Sequence, residues 1–256
     1  MAKKPAPKKA SRKPQKKPRK AARKRAWWNP LGWTPVRWGL IWTVRLGILV
    51  SVTLILVIAA HAVMTPPKTF YMRQEAKRLG EIDYVWVPYA DIAPAMARSV
   101  VAAEDANFCN HWGFDMAAIR TAIEEGGSRG ASTISQQTVK NMYLWHGRSW
   151  ARKALEALIT PVLELIWSKQ RIIEVYMNIA EFDEGVFGVE AASYHYFGVG
   201  PADLSDQQAA QLAAVLPNPK NRSASRLTAN LRKRAASIRD GAATIRRDGR
   251  SSCFED

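Results

Sequence analysis

The sequence predicts a predominantly α-helical extramembrane domain preceded by one transmembrane helix, and three observations lead there. A long apolar run with a tryptophan-rich approach occupies the region 27–64. Apolar residues then recur at a period near 3.6 through most of the chain, the spacing of helices with one buried face. Only residues 83–89, where Tyr-Val-Trp-Val is flanked by acid and Pro88, look extended. Hydrophobic residues make up 47% of the 256, enough for one sizeable core.

The first element is the anchor. Residues 46–60 carry no charge, and the apolar stretch reaches from 40 to 64 if Arg45 lies near the headgroups. That is close to the ~20 residues a membrane helix needs. Trp27, Trp28, Trp33, Trp38 and Trp42 are half of the ten tryptophans, and amphipathic indoles favour the bilayer interface, so 27–39 reads as an interfacial segment. Ala60-His61-Ala62 has the small-x-small form of a signal-peptide cleavage site. The region ahead of the apolar run is about 45 residues, however, longer than a whole signal peptide, which favours an uncleaved anchor.

The net charge of +16 invites a nucleic-acid reading until its location is counted. Residues 1–26 hold thirteen Lys or Arg and no acid, which leaves 25 basic against 22 acidic residues in the remainder. With no large apolar residue, that tail is expected to be disordered. Its charges suit topology and anionic lipid, not a nucleic-acid partner. Positive residues stay in the cytoplasm, so the chain after Met64 is expected outside, which in a bacterium would make it a single-pass inner-membrane protein with a periplasmic domain. Cys109 and Cys253 are too few for a disulfide framework and fit no zinc spacing. They leave the redox compartment open.

Beyond the Pro66-Pro67 break, Asp91 is a candidate N-cap for a helix running through Met96, Val100 and Val101 toward Glu104. Helical periodicity returns in 117–124, 133–144, 151–167, 169–179, 187–196 and 205–216, with a Ser205/Gln208 capping box on the last. The domain is expected over 65–225, with an Arg-rich C-terminal helix and tail over 226–256.

Four clusters could carry chemistry. Glu104, Asp105, Phe108, His111 and Asp115 follow an apolar helix, and a carboxylate at the lip of a core helix is where burial raises a pKa toward general-base duty. After three glycines, Ser132 or Thr133 can cap a helix on which Thr133, Gln136, Gln137 and Lys140 form one polar face, with Asn141 beside it. That face suits a phosphate or a sugar, but no Walker A spacing is present. Arg152, Lys153 and Glu156 stand on adjacent turns. Arg171, Glu174 and Asn178 share a helix face with Tyr176 nearby. Taken singly, each is as well explained by a solvated helix face or terminus.

Their order and spacing together resemble the peptidoglycan glycosyltransferase family. Glu-Asp-x-x-Phe-x-x-His-x-Gly-x-Asp is complete in 104–115, and Gly-x-Ser-Thr-Ile-x-Gln-Gln-x-x-Lys-Asn in 130–141. Arg-Lys-x-x-Glu in 152–156, Glu-x-Tyr-x-Asn in 174–178 and Tyr-Phe-Gly in 196–198 also match, over about 85–219 in all. No Ser-x-x-Lys follows, so the resemblance is to the monofunctional, single-pass form. Two departures stand out: Asp183 where the family has Gly after Phe182, and Met177 for the usual Leu.

The resemblance implies a lysozyme-like α fold and polymerisation of lipid II into β-1,4-linked glycan with inversion and release of undecaprenyl diphosphate. It casts Glu104 as base, and Glu174 as a second catalytic carboxylate orienting the diphosphate or a divalent metal, Mg or Mn. Lys140, Arg152 and Lys153 would meet the leaving group. Asp105, Phe108, His111, Ser132, Thr133, Gln136, Gln137, Asn141, Glu156, Tyr176, Asn178 and Arg234 complete the implied substrate contacts. No organic cofactor is implied. Implied partners are the lipid substrate, the growing strand and the membrane, with penicillin-binding and cell-division proteins by analogy. The alternatives are a lysozyme-like hydrolase, which needs no cation cluster, and a non-catalytic scaffold working through its basic tail.

Overall fold

The computed structural model describes Met1 and residues 35–126, 130–147 and 149–255. The expected disordered tail and most of the interfacial segment therefore lie outside the described residues. The first helix, α1 (Pro35–His61), starts ahead of the 40–64 run and stops short of its end. Among the described residues it is the one helix long and apolar enough to cross a membrane. Leu46, Leu49 and Leu56 stand exposed on it, a surface suited to hydrocarbon and not to water. The Arg45 guanidinium lies 5.3 Å over the Trp42 ring, the cation and indole pairing where the apolar run begins.

Residues 51–256 form one compact unit. After the double proline, Thr69 caps α2 (Phe70–Leu79), a helix that the apolar periodicity does not single out. The expected N-cap Asp91 instead belongs to a 3-10 turn over Tyr89–Asp91, and α3 (Pro94–Glu104) begins later. Pro94 takes the first helical position, where a missing N–H costs nothing and the fixed φ suits the helix. The first six of the remaining helices fall where the periodicity places them, and the seventh lies in the expected Arg-rich C-terminal region. They are α4 (Met116–Glu124), α5 (Ile134–Tyr143), α6 (Trp150–Ile166), α7 (Lys169–Ile179), α8 (Gly188–Phe197), α9 (Asp206–Val215) and α10 (Ala229–Arg247). Side chains of Asp115, Thr133, Ser149, Ser168, Ser205 and Thr228 cap six of them.

A small sheet joins β1 (Asp83–Tyr84), β2 (Glu181–Asp183) and β3 (Val186–Phe187) in the order β1-β3-β2, with β3 parallel to β1 and antiparallel to β2. The extended segment 83–89 thus contributes only two ladder residues. Farther along it, Val87 donates to Asn178 Oδ1 and accepts from Asn178 Nδ2, both at 2.8 Å, so one side chain does the work of a partner strand. Gly188, between sheet and α8, has φ +84° and lies so close to Asn178 that an added Cβ would stand 2.8 Å from its carbonyl oxygen.

Two helical groups meet in the core. Helices α3, α9 and α10 pack together, α5 packs against both α6 and α7, and α7 also packs against α3 and α8. The interior is aliphatic, with Met96, Val100, Ile134, Ile172, Ile173, Leu212 and Val215 fully buried. Cys109 and Cys253 are joined by a disulfide across 144 residues, the pairing the sequence left open. It ties the turn after α3 to the C-terminal segment, where Phe254 packs on Phe108 with ring centroids 6.2 Å apart and Glu255 pairs with Arg98 at 2.7 Å. Asp183 is accommodated without strain, because no non-glycine residue among those described has positive φ. Its carboxylate accepts from Tyr196 Oη and from the Glu184 N–H, each at 2.8 Å.

Candidate active site

Glu104 ends α3 at the floor of a cleft of about 660 Å³, whose walls include Asp105, Asp115, Ser132, Thr133, Gln137 and Arg234. One carboxylate oxygen, Oε2, accepts from Gln137 Nε2 at 2.9 Å. The other, Oε1, is buried without a hydrogen-bond partner and has the Arg234 guanidinium 3.7 Å away. Burial pushes this carboxyl above the usual range, against the Gln137 hydrogen bond and the charges of Arg234 and Lys140. The result is a proton acceptor with one open lone-pair site.

Asp105 has a different task. Its Oδ1 lies 2.8 Å from His111 Nε2, and its Oδ2 accepts from the Ile134 N–H at 3.0 Å. A carboxylate with both oxygens used in this way ties the acidic turn to the start of α5. Thr133 strengthens the joint by donating to the Gly113 carbonyl at 2.6 Å, and its N–H donates to Gln136 Oε1 at 3.1 Å. Gln136 is buried with this cap, so it shapes the helix start and does not face the cleft. From α7, Tyr176 Oη donates to Oε1 of Gln137 on α5 at 3.3 Å, which fixes the amide so that its NH₂ faces Glu104.

The cations gather beside this carboxylate. Glu156, 2% exposed, accepts from Arg152 at 2.8 Å and from Lys153 at 2.5 Å. Lys153 also reaches Ser132 Oγ at 3.1 Å, which brings the cluster to the rim of the Glu104 cleft. Lys140 lies in the field of the same residues, and burial lowers its pKa while Glu156 and Glu104 oppose the shift. Beyond Gln137 a second cavity, about 230 Å³, is lined by Lys140, Asn141, Tyr176, Tyr71, His146 and Glu181 among others. Two buried atoms on its lining, Asn141 Oδ1 and His146 Nδ1, have no partner. Burial, aided by Lys140 and Arg152, lowers the His146 pKa to about 4, so this imidazole is neutral.

Besides Gln136, the expected residues Phe108, Asn178 and Glu174 do not line the cleft. Phe108 is fully buried in the core, where Lys169 Nζ sits 4.4 Å over its ring. Asn178 is consumed by Val87 and by the Glu174 carbonyl. Glu174 has both oxygens occupied: Oε2 accepts from Arg171 at 2.7 Å and Oε1 from the Tyr89 N–H at 3.0 Å. It lines neither cavity. The carboxylate that stands among the cations is Glu156, whereas Glu174 is paired with Arg171 and the Tyr89 N–H. Nor do the acids present offer a divalent-metal cage, since Asp105, Glu156 and Glu174 each spend both oxygens on protein donors. Among the described residues no three acids, histidines or cysteines converge.

Tyr71, His146 and Lys220 join the site without a signal in the sequence motifs. Tyr71 stacks on His146 at 3.7 Å and donates to Glu181 at 2.8 Å, while Lys220 pairs with Glu75 at 2.8 Å. Tyr71 and Glu181 are 110 residues apart, and no local spacing joins them.

Comparison with known proteins gives the family. The sequence profile described as transglycosylase matches residues 73–243. The chain belongs to the transglycosylase family. A biosynthetic peptidoglycan transglycosylase of Jannaschia sp. (strain CCS1) is 60% identical over 218 residues, covering 85% of this chain and 90% of its own length. Proteins with the same description in Pseudomonas fluorescens (strain SBW25) and Stutzerimonas stutzeri (strain A1501) are 48% and 49% identical, covering 78% and 75% of this chain and 87% and 83% of theirs. The glutamate, amide and cation cluster described above thus belongs to a transglycosylase domain, and the small sheet and α3 lie within the matched span, which ends inside α10.

Proposed function

We propose that the protein polymerises lipid II into β-1,4-linked glycan, inverting the donor's anomeric carbon and releasing undecaprenyl diphosphate. The observation that carries this reading is Glu104 Oε1, buried and unpartnered at the floor of a cleft whose rim is met by Lys153 and its cation cluster. As the acceptor's 4-hydroxyl attacks, its proton passes to Glu104 while the bond from the anomeric carbon to the diphosphate oxygen breaks. A carboxylate with a raised pKa is matched to that transfer near neutral pH. Lys140, Arg152 and Lys153 offset the charge appearing on the leaving diphosphate. Glu156 holds Arg152 and Lys153 in place, and Gln137 orients Glu104. Ser132 and Asn141 line the space where substrate would lie, and Asp105, His111, Thr133 and Tyr176 support the walls. No step is routed through a metal here, since Asp105, Glu156 and Glu174 spend their oxygens on protein donors.

Placement supports the same reading. The single apolar helix suggests a membrane anchor, and we propose that it runs from a cytoplasmic N-terminus to a periplasmic domain, where a Cys109–Cys253 disulfide is stable. The lipid substrate, the growing strand and the membrane are then its partners, with penicillin-binding and division proteins as candidates. A hydrolase would leave the cation cluster without a task. Incubating the protein with labelled lipid II separates the readings. Consumption of lipid II with a product that a muramidase digests supports polymerisation. Release of sugar from finished glycan without lipid II consumption would instead establish the hydrolase. Removal of residues 1–26 leaves polymerisation intact on this account, and its loss would favour a function driven by the tail.

A further inference from the structure

We infer that Arg171 is a latch that fixes the end of the membrane anchor to the catalytic domain, positioning the cleft over the bilayer without taking part in the chemistry. This rests on reading α1 as membrane-spanning and the substrate as lipid-borne. The last turn of a helix leaves carbonyl oxygens with no intrahelical donor. At the end of α1 the N–H groups of Ala62, Val63 and Met64 serve Ile58, Ala59 and Ala60, and the His61 carbonyl is taken by the domain. Arg171 Nε and one terminal nitrogen donate to the His61 carbonyl at 3.1 and 2.9 Å, and the same terminal nitrogen reaches Met64 O at 2.5 Å. Trp167 Nε1 donates to Ile58 O at 2.7 Å, and the Ile58 side chain is fully buried. A cation at this end also complements the helix dipole.

The guanidinium is itself held on every side. It lies 5.3 Å from the Trp86 ring and 5.8 Å from the Trp167 ring, and its other terminal nitrogen donates to Glu174 at 2.7 Å. Glu174 in turn accepts from the Tyr89 N–H at 3.0 Å. Helix α7, the end of α6 and the segment 86–89 therefore converge on one side chain that grips the anchor. Exposed ion pairs contribute little, but here the Arg171 and Glu174 side chains are 12% and 14% exposed, and the planar fork has defined partners. This gives Glu174 a purpose away from the reaction. A lipid-borne diphosphate sits at the headgroup level, so a cleft that must meet it gains from an anchor that cannot swing, and small misplacements of reacting groups are costly.

The test reads geometry and activity separately. Spin labels at Ser51→Cys and Gln207→Cys in the full-length protein, in lipid nanodiscs, report the distance distribution between anchor and domain. With Arg171 present it should be narrow; Arg171→Ala should widen it about twofold, and Arg171→Lys, which keeps the charge but loses the fork, should fall between. Equal widths in all three would overturn the latch. In parallel, Arg171→Ala should slow polymerisation about fivefold or more with lipid II in vesicles, yet less than about twofold in detergent micelles, where no bilayer sets the height. Equal losses in both media at an unchanged melting temperature would assign Arg171 to the chemistry and overturn the proposal. Wild-type protein inactive in both media would count against the glycosyltransferase reading, and the distance measurement would still decide the latch.

Discussion

Glu104 is pulled in opposite directions. Burial favours its protonated form, while Gln137, Arg234 and Lys140 favour the carboxylate. A base works only when ionised, so the rate should rise with pH through the raised pKa of this group. Arg234→Gln removes a positive charge 3.7 Å from Oε1 and should move the acid limb of the pH–rate profile to higher pH. An unmoved limb would mean that Arg234 does not act on the base. The two other candidate glutamates are separated just as sharply. Glu156→Gln uncouples Arg152 and Lys153 and should reduce turnover about a hundredfold, the scale of losing a preorganised charge. Glu174→Gln, measured in micelles, should cost less than about threefold. The reverse order in kinetic assays would restore Glu174 as the second catalytic carboxylate. Spacing alone favours Glu174 because it shares a helix face with Arg171 and Asn178. What spacing does not carry is that this face is turned to the anchor and to Val87.

Helices whose boundaries are set by local chemistry are legible in the sequence. The Ser205/Gln208 capping box and the 3.6-residue periodicity place α9, and Thr133 starts α5, because caps act within one turn. Helix α3 begins later than Asp91 suggests, since Pro94 is the better first residue and the stretch before it is held by tertiary contacts. The sheet is not legible in this way. Its strands are two or three residues long, and β1 pairs with β3 about a hundred positions away, so no alternating pattern has room to develop. The same distance hides the Tyr71, His146 and Glu181 wall of the second cavity. At this scale Gly188→Ala is the sharp test. The left-handed backbone and the 2.8 Å approach to Asn178 O predict a loss of about 1–3 kcal/mol, seen as a lower melting temperature. A melting temperature equal to wild type would show that the sheet-to-α8 junction is not tight.

Across the whole molecule, the acidic turn after α3 and the last residues of the chain are one assembly, joined by the Cys109–Cys253 disulfide, the Phe108–Phe254 contact and the Arg98–Glu255 pair. A cross-link spanning 144 residues restricts the unfolded chain strongly. Cys253→Ser should therefore lower the melting temperature by roughly 10 °C on the chain-entropy estimate. A thiol-free wild type and a destabilised variant would agree with this, and two free thiols in protein recovered from cells would contradict it. The chemistry proposed for this domain depends on a single carboxylate. Polymerisation of labelled lipid II by wild-type protein beside Glu104→Gln tests that dependence most directly. The prediction is muramidase-sensitive glycan from the wild type and none above background from a variant with an unchanged melting curve. A folded Glu104→Gln enzyme that still makes glycan at a comparable rate would contradict it.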